Sequence, residues 1–414
     1  MRKAKRNHLS VTYYYDASGN VVTTTDPIGA ITTYTYNSRN QLISMKDPLN
    51  KTTIYQVDPM GRTISTTTPA PLSLRTEFTY DPIGNLLTTK RPDGLVTMNE
   101  YDSMNRRVKL TEPQSPQNLI TQYSYHPTGR LKILTDPKNQ TTEWTYDLLL
   151  RLVKKQYANN NTHQYTYNPA GEVLTHTTPN AQVSTQTYNL KGQLLSEAWN
   201  TTTPATTYTY YADGQPASIT HGSSTLLYTY DAAHQLTGQT QGLTGLPNFT
   251  LATSYDNSSR PLNNTYNGTR TVKYEWTPRS QLASVEVDGP PPFATYTYDG
   301  AGRLTNLAHE NGISESLTYD SNDRLLARIH NIGSTPSNGH SYTLDTLGRR
   351  TTELSGGVST PLTRTFTYDP ASQVTAANYG VGLNDLYAYD KAGNRTSSTI
   401  AASGGSSGSV KIRL

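Results

Sequence analysis

Side chains along this chain alternate between two classes in short runs. In "TYTY", Thr207 to Tyr210, the tyrosines fall on one face of a strand and the threonines on the other, because successive side chains point to opposite faces. Both residue types favour a pleated, half-buried surface. The alternation breaks every few residues at turn-forming clusters. In "FTYDPIGNLLTTKRPDG", Phe78 to Gly94, "DPIG" supplies an Asp that can bond the backbone ahead of it, a Pro that presets φ, and a Gly that closes a type I turn or takes the left-handed position of a short loop. The strand returns through "NLLTTK" and meets a second turn, "RPDG". At other places the second turn reads "DPKN" at Asp136, "TPNA" at Thr178 or "DGPP" at Asp288. Helical periodicity is absent, and each such phrase predicts one β-hairpin.

The phrase recurs from end to end. Aligned on the residue before the first turn, its anchors are Tyr15, Tyr36, Val57, Tyr80, Tyr101, Tyr125, Tyr146, Tyr167, Tyr188, Tyr210, Tyr230, Tyr255, Trp276, Tyr298, Tyr319, Leu344, Tyr368 and Tyr389. These are 18 repeats at intervals of 20 to 25 residues, most often 21. Glycine stands four residues after the anchor at Gly19, Gly61, Gly84, Gly129, Gly171, Gly192, Gly214, Gly302, Gly348 and Gly393. Insertions fall at the second turn only, in "EPQSPQNL", "QGLTGLPNF", "NIGSTPSNGH" and "SGGVSTPL". Because alternate turns of a meander lie on opposite edges, one edge is predicted to be uniform and the other uneven.

Eighteen hairpins make 36 strands, and open twisted sheets rarely exceed ~10 strands without curling or splitting. The expected fold is all-β: a long antiparallel meander wound into a spiral, hollow shell, with the Tyr face inward and its hydroxyls touching water or one another. The competing geometry is a stacked solenoid with a filled centre. Composition favours the shell. Of 414 residues 31 are Tyr, against 4 Phe and 3 Trp, and hydrophobic residues make up 34%, thin for a conventional core. The array spans residues 11–400, between a basic edge at 1–10 and a Gly/Ser-rich tail at 401–414.

Charge and motifs narrow the chemistry. The net charge of +4 is dispersed, so nucleic acid is not an expected partner. "MRKAKRN" begins like a signal peptide but is followed by "HLSVTYYYDASGN" instead of an apolar run, so no signal peptide is visible, and no segment approaches a membrane span. There is no cysteine, which removes disulfides and thiol chemistry. "HENG" at His309 lacks the second His of a zinc motif, and "GGSSG" at Gly404 matches a nucleophile elbow only as linker composition. Asp81, Asp299 and Asp320 read as turn caps rather than paired carboxylates or calcium ligands. No catalytic, cofactor or metal site is expected, and the chain is not expected to be an enzyme. For Arg62, Arg130, Arg303 and Arg349, which follow the turn glycine, two readings stand: a ladder pairing with acids of neighbouring repeats, or plain solvent exposure.

The Y-D-x-x-G-R-L unit, in "YDPIGNLLTTKRPDG", "YDGAGRLTNLAHENG", "YDSNDRLLARI" and "YDKAGNRTSS", resembles the YD repeat of the RHS family. That family includes shell repeats of bacterial polymorphic toxins, wall-associated proteins, Tc toxin C components and teneurins. The resemblance implies a spiral of hairpins that encloses a toxin or effector polypeptide, a location that is secreted or at the cell surface, and carbohydrate as another possible partner. After "YDKAGNRTSSTI" only "AASGGSSGSVKIRL" remains, so the expectation is a shell segment, partial or truncated, without its own toxin and with remaining shell segments as partners. The alternative is a carbohydrate- or cell-surface-binding adhesion module.

Overall fold

The computed structural model describes residues 10–114, 117–357, 361–380 and 383–402. The basic edge before residue 10, the tail after 402 and its "GGSSG" lie outside the described residues. Among those described, every regular element is a β-strand, 36 in all, from Thr12–Tyr15 to Arg395–Ala402. Strand lengths run from 4 residues to 10 in Thr335–Leu344.

The chain divides into two units, one of residues 1–122, 276–284 and 292–414, the other of residues 123–275 and 285–291. In the first unit the strands from Thr12–Tyr15 to Leu119–Tyr125 pair antiparallel in consecutive order. Those from Ala294–Tyr298 to Arg395–Ala402 do the same. In the second unit the consecutive ladder runs from Leu131–Thr135 to Arg270–Trp276.

The first turn of each repeat has one geometry. At Asp81–Asn85 the Gly84 N–H donates to the Asp81 carbonyl at 3.2 Å, and the Asp81 N–H donates to the Asn85 carbonyl at 3.0 Å. The two possibilities for glycine are therefore both realised: it closes a type I turn and occupies the left-handed bulge after it, and the ladder shifts register between Thr79 and Tyr80. All ten repeat glycines have φ between 76° and 101°. In the other eight repeats Asn40, Asn105, Leu150, His234, Ser259, Ser280, Asp323 and Ser372 take the position, with φ of 60–67°. The bulge is thus a property of the turn, tolerated by non-glycine residues at some strain.

The two faces differ as the alternation requires. In Thr206–Tyr210 the tyrosines are half-buried and the intervening threonines exposed. The exposed face carries cross-strand hydroxyl pairs, among them Thr79–Thr88 and Thr166–Thr175, both 2.6 Å, and Thr209–Ser218 at 2.7 Å. Buried apolar residues are nearly missing: among the described residues only Ala294 and Ala377 qualify. Buried polar ones include Ser65, Ser184, Glu315 and Glu353. A centre filled with aliphatic side chains is therefore overturned. These sheets are held by backbone ladders and half-buried rings.

Candidate functional site

With so little buried carbon, the cohesion of each unit must come from repeat-to-repeat contacts. The anchor tyrosines supply the first. The Tyr80 hydroxyl donates to the carbonyl of Thr63, in the preceding hairpin, at 2.9 Å. The same bond, at 2.6–3.0 Å, joins Tyr36 to Val21, Tyr101 to Leu86, Tyr146 to Leu131, Tyr167 to Leu152, Tyr210 to Leu194, Tyr255 to Leu236, Tyr298 to Leu282, Tyr319 to Leu304, Tyr368 to Arg350 and Tyr389 to Val374. This corrects the expectation that the hydroxyls meet water or one another. The acceptors are carbonyls at the start of the returning strand, where the bulge interrupts the ladder. Tyr188 departs from the pattern and donates to Gln186 Oε1 at 2.6 Å, and Tyr230 packs edge-on against Tyr211, centroids 6.0 Å apart. Burial holds the Tyr298, Tyr319 and Tyr368 hydroxyls above the ordinary phenol range.

The turn acids supply the second contact. Asp299 Oδ1 accepts the N–H groups of Ala301 and Arg303 at 3.0 Å each, as turn capping requires. Its Oδ2 pairs with Arg303 Nε at 2.7 Å. The guanidinium then reaches the next repeat, lying 4.8 Å from the Tyr319 ring centroid and donating to the Asp320 carbonyl at 3.4 Å. Arg62 does likewise with Asp58, Tyr80 and Asp81, Arg151 with Asp147, Tyr167 and Asn168, and Arg349 with Asp345, Tyr368 and Asp369. Arg130 lies 5.6 Å from the Tyr146 ring centroid. A ladder exists, and at Arg303 it pairs with an acid of the next repeat, Asp323, at 2.6 Å. At Arg62, Arg151 and Arg349 the acid belongs to the arginine's own turn, and the neighbour contributes a ring and a carbonyl. Burial alone would raise Asp299, Asp320 and Asp345, but the N–H donors and guanidinium outweigh it and hold each below the usual carboxylate range.

In the first unit a third set of contacts joins stretches some 270 residues apart. Lys51 Nζ donates to the Asp320 carbonyl and pairs with Asp323, both at 3.0 Å. Arg279 pairs with Asp26, and Asn322 donates to Thr68 Oγ1 at 3.1 Å. Arg91 donates to the Pro370 carbonyl at 2.9 Å, and Gln114 bonds Asp369 and the Ala371 N–H at 2.9 and 3.2 Å. In every case a second turn of residues 26–117 meets a first turn of residues 277–394. The uniform edge of one stretch is thus seated on the variable edge of another, twelve or thirteen repeats away. No motif in the sequence marked Asp26, Lys51, Arg91 or Gln114, because such partners are set by winding and not by spacing.

The comparisons place this geometry. A family model described as the Teneurin YD-shell matches residues 64–258 and 243–401, and one described as the RHS Repeat matches residues 15–52. The chain belongs to the YD-shell family. In fold, this YD-shell chain is similar to the Tc holotoxin pore structure of Photorhabdus luminescens, with a TM-score of 0.81 at 15% identity over 98% of this chain and 26% of that one. A crystal structure of TcdB2–TccC3 without its hypervariable C-terminal region gives 0.73 at 16% identity, over 95% of this chain and 25% of the other. The chain therefore spans about a quarter of the length of these relatives. Comparison with curated protein sequences gives no match.

One part of this YD-shell wall departs from the plain repeat. In the second unit, Trp144, Tyr157, His163, Tyr165, His176 and Trp199 make a row of rings on the Tyr face, with Lys155 4.7 Å from the Tyr157 centroid. His163 Nδ1 and His176 Nε2 are 2.9 Å apart, so one ring donates and the other accepts. Burial, then the His176 and Lys155 charges, push His163 below the usual imidazole range. No helix is long and apolar enough to cross a membrane among the described residues.

Proposed function

We propose that the chain is a section of wall in a YD-shell protein, a structural and non-enzymatic part that encloses or displays a toxin or effector polypeptide outside the cell, with remaining shell segments as its neighbours. The observation that carries this reading is a sheet built for continuity instead of a core: among the described residues, 36 strands, two buried apolar residues, a tyrosine-to-carbonyl bond in eleven repeats and arginine staples, each clamping its own turn acid to the next repeat's ring. A wall held by its own ladder needs no filled centre, and the space this leaves suits a cargo. The solved relatives are toxin assemblies by name, which agrees with such a role. Small-angle scattering tests it. A radius of gyration well above the ~22 Å of a compact 414-residue globule supports the wall, and a value near that figure refutes it.

A second reading, adhesion through carbohydrate, is favoured by the ring row from Trp144 to Trp199, since aromatic faces beside polar groups suit sugar rings. A glycan array that stays blank with the intact chain removes it.

A further inference from the structure

The histidine pair in the ring row of the second unit lies on one axis. Its nitrogens are 2.9 Å apart, its ring centroids 5.1 Å, and its planes 17° from parallel. The centroid separation exceeds the nitrogen separation by almost two ring radii, so His163 Nδ1 and His176 Nε2 face one another head-on, nearly in one plane. Rings stacked face to face would hold those nitrogens farther apart at the same centroid separation. Two imidazole nitrogens on one line are the donor set of a linear, two-coordinate ion. Tetrahedral and octahedral ions need more ligands, converging on one point. Among the described residues no group of three or more His, Asp or Glu could supply them.

The surroundings narrow the ion further. Tyr165 lies parallel to His176, with 5° between planes and 4.7 Å between centroids. Tyr157 meets His163 edge-on at 6.0 Å, and Trp199 meets His176 edge-on at 6.4 Å. Ser184 stands directly across from both His176 and Trp199. It is fully buried and its hydroxyl has no partner, so water is excluded from the strand beneath these rings. An ion that keeps a hydration shell is poorly served there, whereas a polarisable one held by two nitrogens among aromatic rings is well served. Lys155 stands directly across from His163, and its charge opposes a cation at that ring. The opposition to a doubly charged ion is twice that to a singly charged one.

We infer that His163 and His176 form a binding site for one soft monovalent cation, silver(I) or copper(I), held in line between Nδ1 and Nε2. A metal–imidazole bond is about 2 Å, so the nitrogens part from 2.9 Å to about 4 Å. His176 makes room by sliding in its own plane across the Tyr165 face, which keeps those two rings parallel. The ring that now donates the shared proton takes its other tautomer, so both facing nitrogens present lone pairs and no proton leaves the pair at neutral pH. The inference does not depend on whether the chain encloses a cargo or takes sugars.

Calorimetric titration of the intact chain with silver nitrate, and separately with copper(I) kept reduced by ascorbate under nitrogen, tests it between about 1 and 100 μM, the scale of micromolar association. The chain has no cysteine, so no thiol competes for either ion. One equivalent is expected to bind, with quenching of tryptophan fluorescence through Trp199, and the tighter of the two names the ion. Zinc(II) is expected to bind at least about tenfold more weakly, a difference of about 1.4 kcal/mol. His163→Phe and His176→Phe keep a ring in the row and are each expected to lose the equivalent and the quenching, with wild-type circular dichroism. A wild-type chain that takes up neither ion in this range overturns the inference. So does a variant that binds like the wild type, or zinc(II) bound as tightly as the monovalent ions.

Discussion

Arg303 is the sharpest point at which to test the staple. Its side chain is 19% exposed, and its guanidinium holds Asp299 at 2.7 Å, Asp323 at 2.6 Å and the Tyr319 ring at 4.8 Å. Truncation by Arg303→Ala removes a charge-assisted bond of about 1.5–3 kcal/mol and a cation–π contact of about 0.5–1 kcal/mol. The pair with the more exposed Asp323 adds up to about 1 kcal/mol. The expected loss is therefore about 2–5 kcal/mol. Reversal by Arg303→Glu sets three carboxylates together and loses more. In a repeat array each unit contacts its neighbours, so the damage is concentrated nearby. Amides of 299–304 and 319–320 are expected to exchange about thirty- to a few-thousand-fold faster, at a factor of ten per 1.4 kcal/mol. Were the chain to melt as one, its size dilutes the same loss to about 2–6 °C. Hydrogen exchange read peptide by peptide is thus the better assay. If Arg303→Glu melts with the wild type and leaves these amides protected, the staple carries no stability and the reasoning is wrong.

Four other outcomes follow from the same geometry. Tyr319→Phe removes the hydroxyl that reaches Leu304 at 2.8 Å and is expected to lose about 0.5–1.5 kcal/mol in denaturant titration, with no change in the fold. Leu150→Gly relieves a leucine held at φ 62° and is expected to gain about 1 kcal/mol, whereas Gly84→Ala at φ 101° is expected to lose stability, both by thermal melting. The turn acids Asp299, Asp320 and Asp345 have depressed folded values, so their contribution is complete above the unfolded value of ~3.9 and disappears as pH falls through the folded one. Melting temperature followed from pH 5 to pH 2, scales set by those same carboxylate values, should drop in the wild type and drop less in Asp320→Asn, which starts lower. Glu353 is 5% exposed among His340, Arg350 and Arg364 at 2.8–3.2 Å; Glu353→Gln leaves the two guanidinium groups without their shared carboxylate and is expected to cost about 3–5 kcal/mol in denaturant titration.

The hairpin array was legible because each repeat is a local instruction. "YDPIG" fixes a turn with its own five residues, and the ladders among the described residues run between strands adjacent in sequence, so the period alone yields 36 strands. The even and uneven edges were legible for the same reason. The tyrosine hydroxyls were not, since their acceptor lies 15 to 19 residues upstream and is a carbonyl, which every residue offers. The arginine ladder was half visible. Arg four residues after Asp announces a pair, but its reach to the next ring depends on how neighbouring hairpins lie together. Contacts such as Lys51 with Asp323 carry no local mark, because they join turns by winding.

The strictly sequential ladder has a mechanical consequence. Where a strand is knitted only to the strands before and after it, the sheet can be assembled from one end as the polypeptide emerges, and tension on a terminus would unravel it hairpin by hairpin at modest force. The cross-links between distant turns in the first unit act as a latch on that process: they can engage only after twelve repeats have been laid down, and until they are broken the early repeats cannot unravel.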